Sequence, residues 1–202
     1  MIINIENAGK RYNNNWIFRK LSLNFVSGGK YAITGPNGSG KSTLLRIISG
    51  SLTLSEGTVT YSNGKSQVGN EEIFSHISIS APYLDIPEEY SLAELIAFHV
   101  KFKKTVIPAA EMIAHMELEP AGNRQLKYFS SGMKQKVKLG IAILTNSPVL
   151  LLDEPCTALD AGAIKWYQQM VERYAANKTV LVFSNKRSEE YSFCSNFVTP
   201  FE

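Results

Sequence analysis

Only two cysteines, Cys156 and Cys194, and three histidines, His76, His99 and His115, occur in the 202-residue chain. The cysteines make no Cys-x-x-Cys pair and the histidines show no zinc-ligand spacing, which argues against a disulfide scaffold, a zinc module and a dithiol redox motif. A reduced, cytosolic setting is expected. No apolar run approaches the ~18 residues of a membrane-crossing helix, and the opening MIINIENAGKRY lacks the basic-then-apolar pattern of a secretory leader. If the protein serves a membrane process, another chain is expected to cross the bilayer. Charge of one sign is scarce too: 21 Lys+Arg stand against 18 Asp+Glu, a formal net charge of +3, with no block of five like charges. So mild a balance singles out neither nucleic acid nor an anionic membrane surface as a partner. Repeats, low-complexity tracts and linkers are also missing, so one domain over residues 1–202 is expected. With 44% hydrophobic residues, a chain of this length buries roughly 70% of the surface its unfolded form exposes and needs neither disulfide nor metal to hold a core.

Alternation at Leu21, Leu23 and Phe25 before Ser27-Gly28-Gly29 predicts a half-buried strand, and Met1 to Ile5 predicts a weaker one, so the first segment reads as antiparallel β. Lys30 to Thr34 reads as a strand entering a glycine-rich turn, followed by helical spacing of Leu44, Leu45, Ile47 and Ile48 before Gly50. Two more alternating stretches, Thr58 to Tyr61 and Ile77 to Ser80, predict strands. From Pro82 the pattern turns helical. Ser91-Leu92-Ala93-Glu94 has capping-box spacing ahead of a helix to Phe102, Pro108 fits the first position of a helix through Leu118, and Ser130 precedes a third helix with Met133, Val137, Gly140, Ile141 and Leu144 on one face. Val149 to Leu152 and Val180 to Phe183 are apolar without alternation, as buried parallel strands are, with a helix around Ile164 to Tyr174 between them. The expectation is an α/β fold with a helical insert at about 82–144 in a parallel-sheet core.

Gly35-Pro36-Asn37-Gly38-Ser39-Gly40-Lys41-Ser42 satisfies G-x-x-x-x-G-K-[ST] at every fixed position and lies between a predicted strand and a predicted helix that opens near Thr43. The glycines let backbone N–H groups converge on phosphate oxygens, the helix N-terminus adds positive potential, Lys41 can reach β/γ-phosphates, and the Ser42 hydroxyl suits Mg²⁺. The run Val149 to Leu152 delivers Asp153 and Glu154 at its C-terminal end, the ligand side of a parallel sheet. Asp153 suits the cation and Glu154 the proton of an attacking water. Alone, this pair would read as a strand ending in solvated acids. The upstream phosphate loop reverses that balance.

In order along nearly the whole chain, GPNGSGKST, YFSSGMKQK and VLLLDEPCTALD resemble the ATP-binding subunit of an ATP-binding cassette (ABC) transporter. Phe129-Ser130-Ser131-Gly132-Met133 is similar to the family's LSGGQ signature, with Ser for the first Gly and Met for Gln. Read alone, it is a hydroxyl and free N–H groups at a helix start, which also describes a plain N-cap. The resemblance implies the P-loop NTPase fold of ABC ATPases: a RecA-like parallel core, an N-terminal antiparallel β subdomain and an inserted helical subdomain. It implies ATP and Mg²⁺ as ligands, with a signature that closes on the nucleotide of a second ABC ATPase subunit, identical or homologous. It further implies integral membrane permease subunits as partners, and a place on the cytoplasmic, inner face of the cell membrane. Asp160, in Thr157-Ala158-Leu159-Asp160, matches the family's dimer-contacting D-loop, although a helix cap explains it equally. Tyr12 sits where the family stacks an aromatic on adenine, with ordinary packing as the other reading. The short chain and the form of the signature are most similar to export subunits, including the haem-exporter type.

The resemblance fails at two positions. The family's Gln after the strand ending near Ser80 is replaced by Ala81 or Pro82, neither of which can coordinate metal or donate a side-chain hydrogen bond. The His expected after Thr179 to Ser184 is Asn185, which donates one neutral bond and cannot become cationic. Three outcomes stay open: a slow ATPase, a substituted network, or a nucleotide switch without hydrolysis of its own. Two competing classes also fit parts of the chain. A soluble ABC ATPase acting on nucleic acid or ribosomes would use a basic face, yet Lys101, Lys103 and Lys104 read as a solvated helix end, and no nucleic acid is expected. A metabolite kinase leaves Phe129 to Met133 and Asp160 without a role.

Overall fold

The computed structural model describes residues 1–64 and 66–201. The chain opens with strands β1 (Ile2–Tyr12) and β2 (Asn15–Phe25), paired antiparallel with Ile3 opposite Phe25. Both run longer than the apolar alternation predicts, because their outer halves pair through polar residues around a tight turn where Asn13 takes φ 53°. Strand β3 (Lys30–Thr34) follows, then helix α1 (Lys41–Ile48), strands β4 (Glu56–Asn63) and β5 (Ser66–Gln67), and the short helix α2 (Ile73–His76). Strands β2, β1, β4 and β5, in that order, form an antiparallel sheet. At Gly57 (φ 81°) a Cβ would lie 2.4 Å from the carbonyl oxygens of Glu6 and Asn7, so only glycine fits where β4 crosses the irregular stretch of β1.

Strand β6 (Ile77–Ser80) leads into helices α3 (Leu92–His99), α4 (Ala109–His115) and α5 (Ser131–Leu144), then β7 (Val149–Asp153), α6 (Ala161–Tyr174), β8 (Thr179–Ser184) and β9 (Asn196–Val198). The second sheet has the order β6-β7-β8-β3-β9, and its pairings are parallel. The capping box at Ser91 forms as the sequence predicts: Glu94 N donates to Ser91 Oγ (3.2 Å) and Ser91 N donates to the Glu94 carboxylate (2.8 Å). Pro108 is the N-cap of α4 instead of its first helical residue, and that helix ends at His115, short of the predicted Leu118, where Glu117 enters the left-handed region (φ 54°). Strand β9 is too short to show in the sequence; its partner β3 makes it a strand.

Apolar runs along β7 and β8 follow from a sheet covered on both faces. Val149, Leu151, Leu181 and Phe183 pack with α1 and the antiparallel sheet, while Leu150, Leu152, Val180 and Val182 pack with α3, α4, α5 and α6. The period of two along each strand therefore sends alternate side chains into two separate cores. Lys178, buried just before β8, donates to the carbonyls of Ile143 (2.6 Å) and Thr145, closing the end of α5; burial pulls its ammonium down to about 8.

Candidate active site

Strands β3, β6, β7 and β8 release their loops along one edge of the parallel sheet, and the chemistry read from the sequence gathers there. After β3 the chain turns through Gly38 (φ 79°) and Gly40 (φ 107°) into α1. A Cβ on Gly40 would meet Ile17 Cγ2 at 2.7 Å, and one on Gly38 would meet nothing within 4 Å, so the loop is packed below and open above. No side chain caps α1, and its first turn carries no acid, leaving its leading N–H groups free for an anion. Ser39 Oγ is buried with no hydrogen-bond partner. A buried orphan hydroxyl and an open loop of N–H donors fit a polyphosphate. Lys41, itself buried, donates from Nζ to the carbonyls of Gly35 (2.7 Å) and Pro36 (2.9 Å), holding an ammonium beneath the loop.

At the end of β7, Asp153 is 3% exposed and accepts a 2.7 Å hydrogen bond from Ser42 Oγ. Burial raises its carboxyl above the usual range and Glu154 adds to that, against the Ser42 bond and the Lys41 charge. Two hard oxygen donors this close suit Mg²⁺, a cation that keeps most of its shell for phosphate and water. Among the described residues no cluster of three His, Cys, Asp or Glu could hold a metal without the nucleotide. Glu154 takes φ 44°, its N–H donating to Phe183 O (2.9 Å), and with Ile17, Asn37, Gly38, Gly40, Lys41, Ser42 and Thr43 it lines one cavity of about 330 Å³. The structure thus brings the phosphate loop, Asp153 and Glu154 together. Ile17 joins them without any signal in the sequence.

The remaining predicted residues lie elsewhere. Tyr12 ends β1, is 45% exposed beneath the Lys10 ammonium and does not line this cavity. Ser130 is the N-cap of α5 and accepts from Met133 N (3.2 Å), with Ser131 exposed beside it. Gly132 packs on the loop after β7, where a Cβ would approach Ala158 O at 3.0 Å. Asp160 caps α6, accepting from Ala163 N (2.8 Å). Asn185 is exposed just past β8. After β6, Ala81 is buried and Pro82 exposed.

A buried carboxylate missed by sequence reasoning ties two of these loops. Glu190, 1% exposed, accepts from Cys156 N (3.3 Å) after β7 and from Ser184 Oγ at the end of β8, while its backbone carbonyl accepts from Tyr167 Oη (2.8 Å). Burial raises it, opposed by those hydrogen bonds and by Arg187. Gln135 of α5 likewise donates to Pro155 O (2.9 Å), linking the Ser130 helix to the Glu154 loop. Neither has a local pattern to announce it.

Residues 18–157 match the family model described as ABC transporter. The chain is 24% identical over 198 residues to the lantibiotic transport ATP-binding protein SrtF of Streptococcus pyogenes, covering 98% of this chain and 85% of that one. It is 28% identical over 191 residues to the cytochrome c biogenesis ATP-binding export protein CcmA of Rhizobium etli, covering 90% and 86%. Among solved structures, an ATP-binding subunit of an ABC transporter superposes with a TM-score of 0.86 at 22% identity over 100% of this chain and 86% of that one. The dimeric post-hydrolysis state of the cassette MJ0796, bound to ADP and phosphate, superposes with a TM-score of 0.80 at 23% identity over 93% and 90%.

Proposed function

The chain belongs to the ABC transporter family and is an ATP-binding subunit of such a transporter, and from that premise we propose that it hydrolyses MgATP at the edge of the parallel sheet, in a site completed by a second ABC ATPase subunit. The observation that carries this reading is the convergence of Glu154 with the phosphate loop in one cavity, beside the Ser42–Asp153 hydrogen bond.

In this reading the loop of residues 35–43, through the backbone N–H groups that follow Pro36, and the Lys41 ammonium hold the phosphates, and Ser42 and Asp153 hold Mg²⁺. The cation, when bound, neutralises phosphate charge as the terminal bond breaks. Glu154 accepts a proton from the attacking water while the oxygen–phosphorus bond to the leaving diphosphate is cleaved, yielding ADP and phosphate. Asn185 offers a neutral donor to the departing phosphoryl group. A preorganised donor at such a place is worth roughly 10²–10³ in rate, so slow turnover is expected from Asn185, which is exposed and cannot become cationic, and from the lack of a side-chain donor at Ala81 and Pro82. Tyr12 stacks on adenine in the assembled site. Ser130 and Ser131 are exposed at the start of α5 and none of Ser130 to Met133 lines their own chain's cavity, which supports a role toward the partner's nucleotide, and Asp160 contributes to the same interface.

Among the described residues no helix is long and apolar enough to cross a membrane. We therefore assign the membrane path to separate permease subunits, with this chain on their cytoplasmic face. Export is the favoured direction from the form of the signature, and the relatives include an export protein and sulfate import proteins alike. A nucleotide switch without hydrolysis of its own is the second reading, favoured by Asn185. MgATP hydrolysis measured across a protein-concentration series, with Lys41→Ala as the blank, separates the two. A specific rate that climbs with concentration supports the two-subunit ATPase. Retained binding without hydrolysis at any concentration supports the switch, and absence of ATP binding defeats both.

A further inference from the structure

The loop after β6 leaves the sheet beside the candidate cation site, because Ser80 is opposite Leu152 and Asp153 is the next residue of β7. It turns at once. Leu84 N donates to Ala81 O (3.2 Å), closing a four-residue turn whose second position is Pro82, and Lys138 Nζ donates to Pro82 O (3.3 Å) from α5. Proline's fixed φ suits that second position. Tyr83 is thereby held at the third position, and it lines a cavity of about 600 Å³ with Ser42, Thr43 and Arg46 of α1, together with Ser51 and Leu84.

Tyr83 is 46% exposed as a residue, yet burial is the largest influence on its phenol, followed by Asp153, which raises it, and Arg46, which lowers it; the group stands at about 12. Tyr83 therefore shares its cavity with Ser42 and lies within the fields of Asp153 and Arg46. A phenol, protonated at neutral pH, offers an O–H donor and an acceptor oxygen. Ala81 and Pro82 have no such side-chain group, and Leu84 is apolar. Ser42 and Asp153 supply only two oxygens to a cation that needs six ligands and keeps several waters. From this placement we infer that the Tyr83 hydroxyl orders the water shell of the cation held by Ser42 and Asp153, which makes Tyr83 a positioning residue of the nucleotide site. The inference rests on the reading of Ser42 and Asp153 as cation ligands.

The test uses the full chain saturated with ATP, titrated with Mn²⁺ in place of Mg²⁺. Free Mn²⁺ is followed by electron paramagnetic resonance, and the water on bound Mn²⁺ by proton relaxation. Tyr83→Phe keeps the ring and removes only the hydroxyl. It is expected to weaken Mn²⁺ binding about three- to tenfold, the scale of one hydrogen bond, and to change water relaxation, while metal-free ATP affinity stays within about twofold. Tyr83→Leu should reproduce the loss. Two results for Tyr83→Phe overturn the inference: Mn²⁺ affinity and relaxation like the parent's, or a loss of metal-free ATP affinity as large as the loss of Mn²⁺. Asp153→Asn run in parallel tells the two failures apart. If it loses Mn²⁺ affinity and Tyr83→Phe does not, only the role of Tyr83 falls; if Asp153→Asn also binds Mn²⁺ like the parent, the cation site falls with it.

Discussion

The loops after β3 and β7 and those after β6 and β8 leave the same edge of the same parallel sheet, yet they are built in different ways. The first pair carries its chemistry in the residues next to the strand end: the phosphate loop opens directly from Thr34, and Asp153 and Glu154 close β7. The second pair carries Ala81, Pro82 and Asn185 in those places, and its polar groups come from further along, Tyr83 from the turn after β6 and Glu190 from six residues past Ser184. The edge of a parallel sheet fixes where a loop starts, and the loop's own fold decides which side chain returns to the site. A departure from a family pattern at a strand end is therefore not yet a vacancy in the site.

Glu154→Gln should break the contrast most sharply. Removing the proton acceptor is expected to lower MgATP hydrolysis by about 10²–10⁴ while ATP binding, measured by equilibrium titration, stays within about twofold. An unchanged rate would remove Glu154 from the role of base. Lys41→Ala is next, expected to weaken ATP binding by about 10² through loss of charge-assisted hydrogen bonds to phosphate, read in the same titration. For the second pair of loops, Glu190→Ala should cost about 2 kcal/mol of stability in urea unfolding, because the Cys156 N–H and the Ser184 hydroxyl lose a buried acceptor. Asn185→Ala should lower hydrolysis only about tenfold, the share of one neutral donor, and Asn185→His should raise it. If Asn185→Ala matched Glu154→Gln in effect, the two pairs of loops would be equally essential and the contrast would fail.

The smallest effect at neutral pH belongs to the two buried thiols. Burial raises Cys156 and Cys194 to about 12, above the usual thiol value near 8.5. The folded state then holds protons that the unfolded chain gives up, so this contribution is complete below the usual value and is lost as pH rises from about 8.5 toward 12. The thermal midpoint should fall over that interval, and Cys194→Ala should fall less steeply while showing no difference in slope around pH 7. Equal slopes for parent and variant in the alkaline range would remove the thiol from the account.

Much of the fold was legible because local patterns agreed with it. The apolar runs Val149 to Leu152 and Val180 to Phe183 are adjacent parallel strands buried on both faces, and Ser91, Ser130 and Asp160 each cap a helix. The extra length of β1 and β2, and the existence of β9, were not legible, since those residues become strands by pairing and carry no apolar alternation. In the site, the phosphate loop and the two acids at the end of β7 were readable and Ile17 was not, and around it neither were Tyr83, Gln135 and Glu190. A lone tyrosine after a proline, or a glutamate in a polar stretch, has many ordinary explanations.

By itself the sequence determined those parts whose geometry closes within a few residues: a strand, a glycine turn, the N-terminus of α1, and a strand that ends in two carboxylates. Short-range sterics and free N–H groups suffice for these, whatever surrounds them. Tertiary structure alone decided that Ser42 meets Asp153 across 111 positions of chain, that Glu154 faces the phosphate loop, that Tyr83 shares a cavity with Ser42, and that Glu190 joins the loops after β7 and β8. Those meetings depend on the strand order β6-β7-β8-β3-β9. That order is set by burial of both sheet faces and by pairing between segments far apart in sequence, which no local window of residues contains.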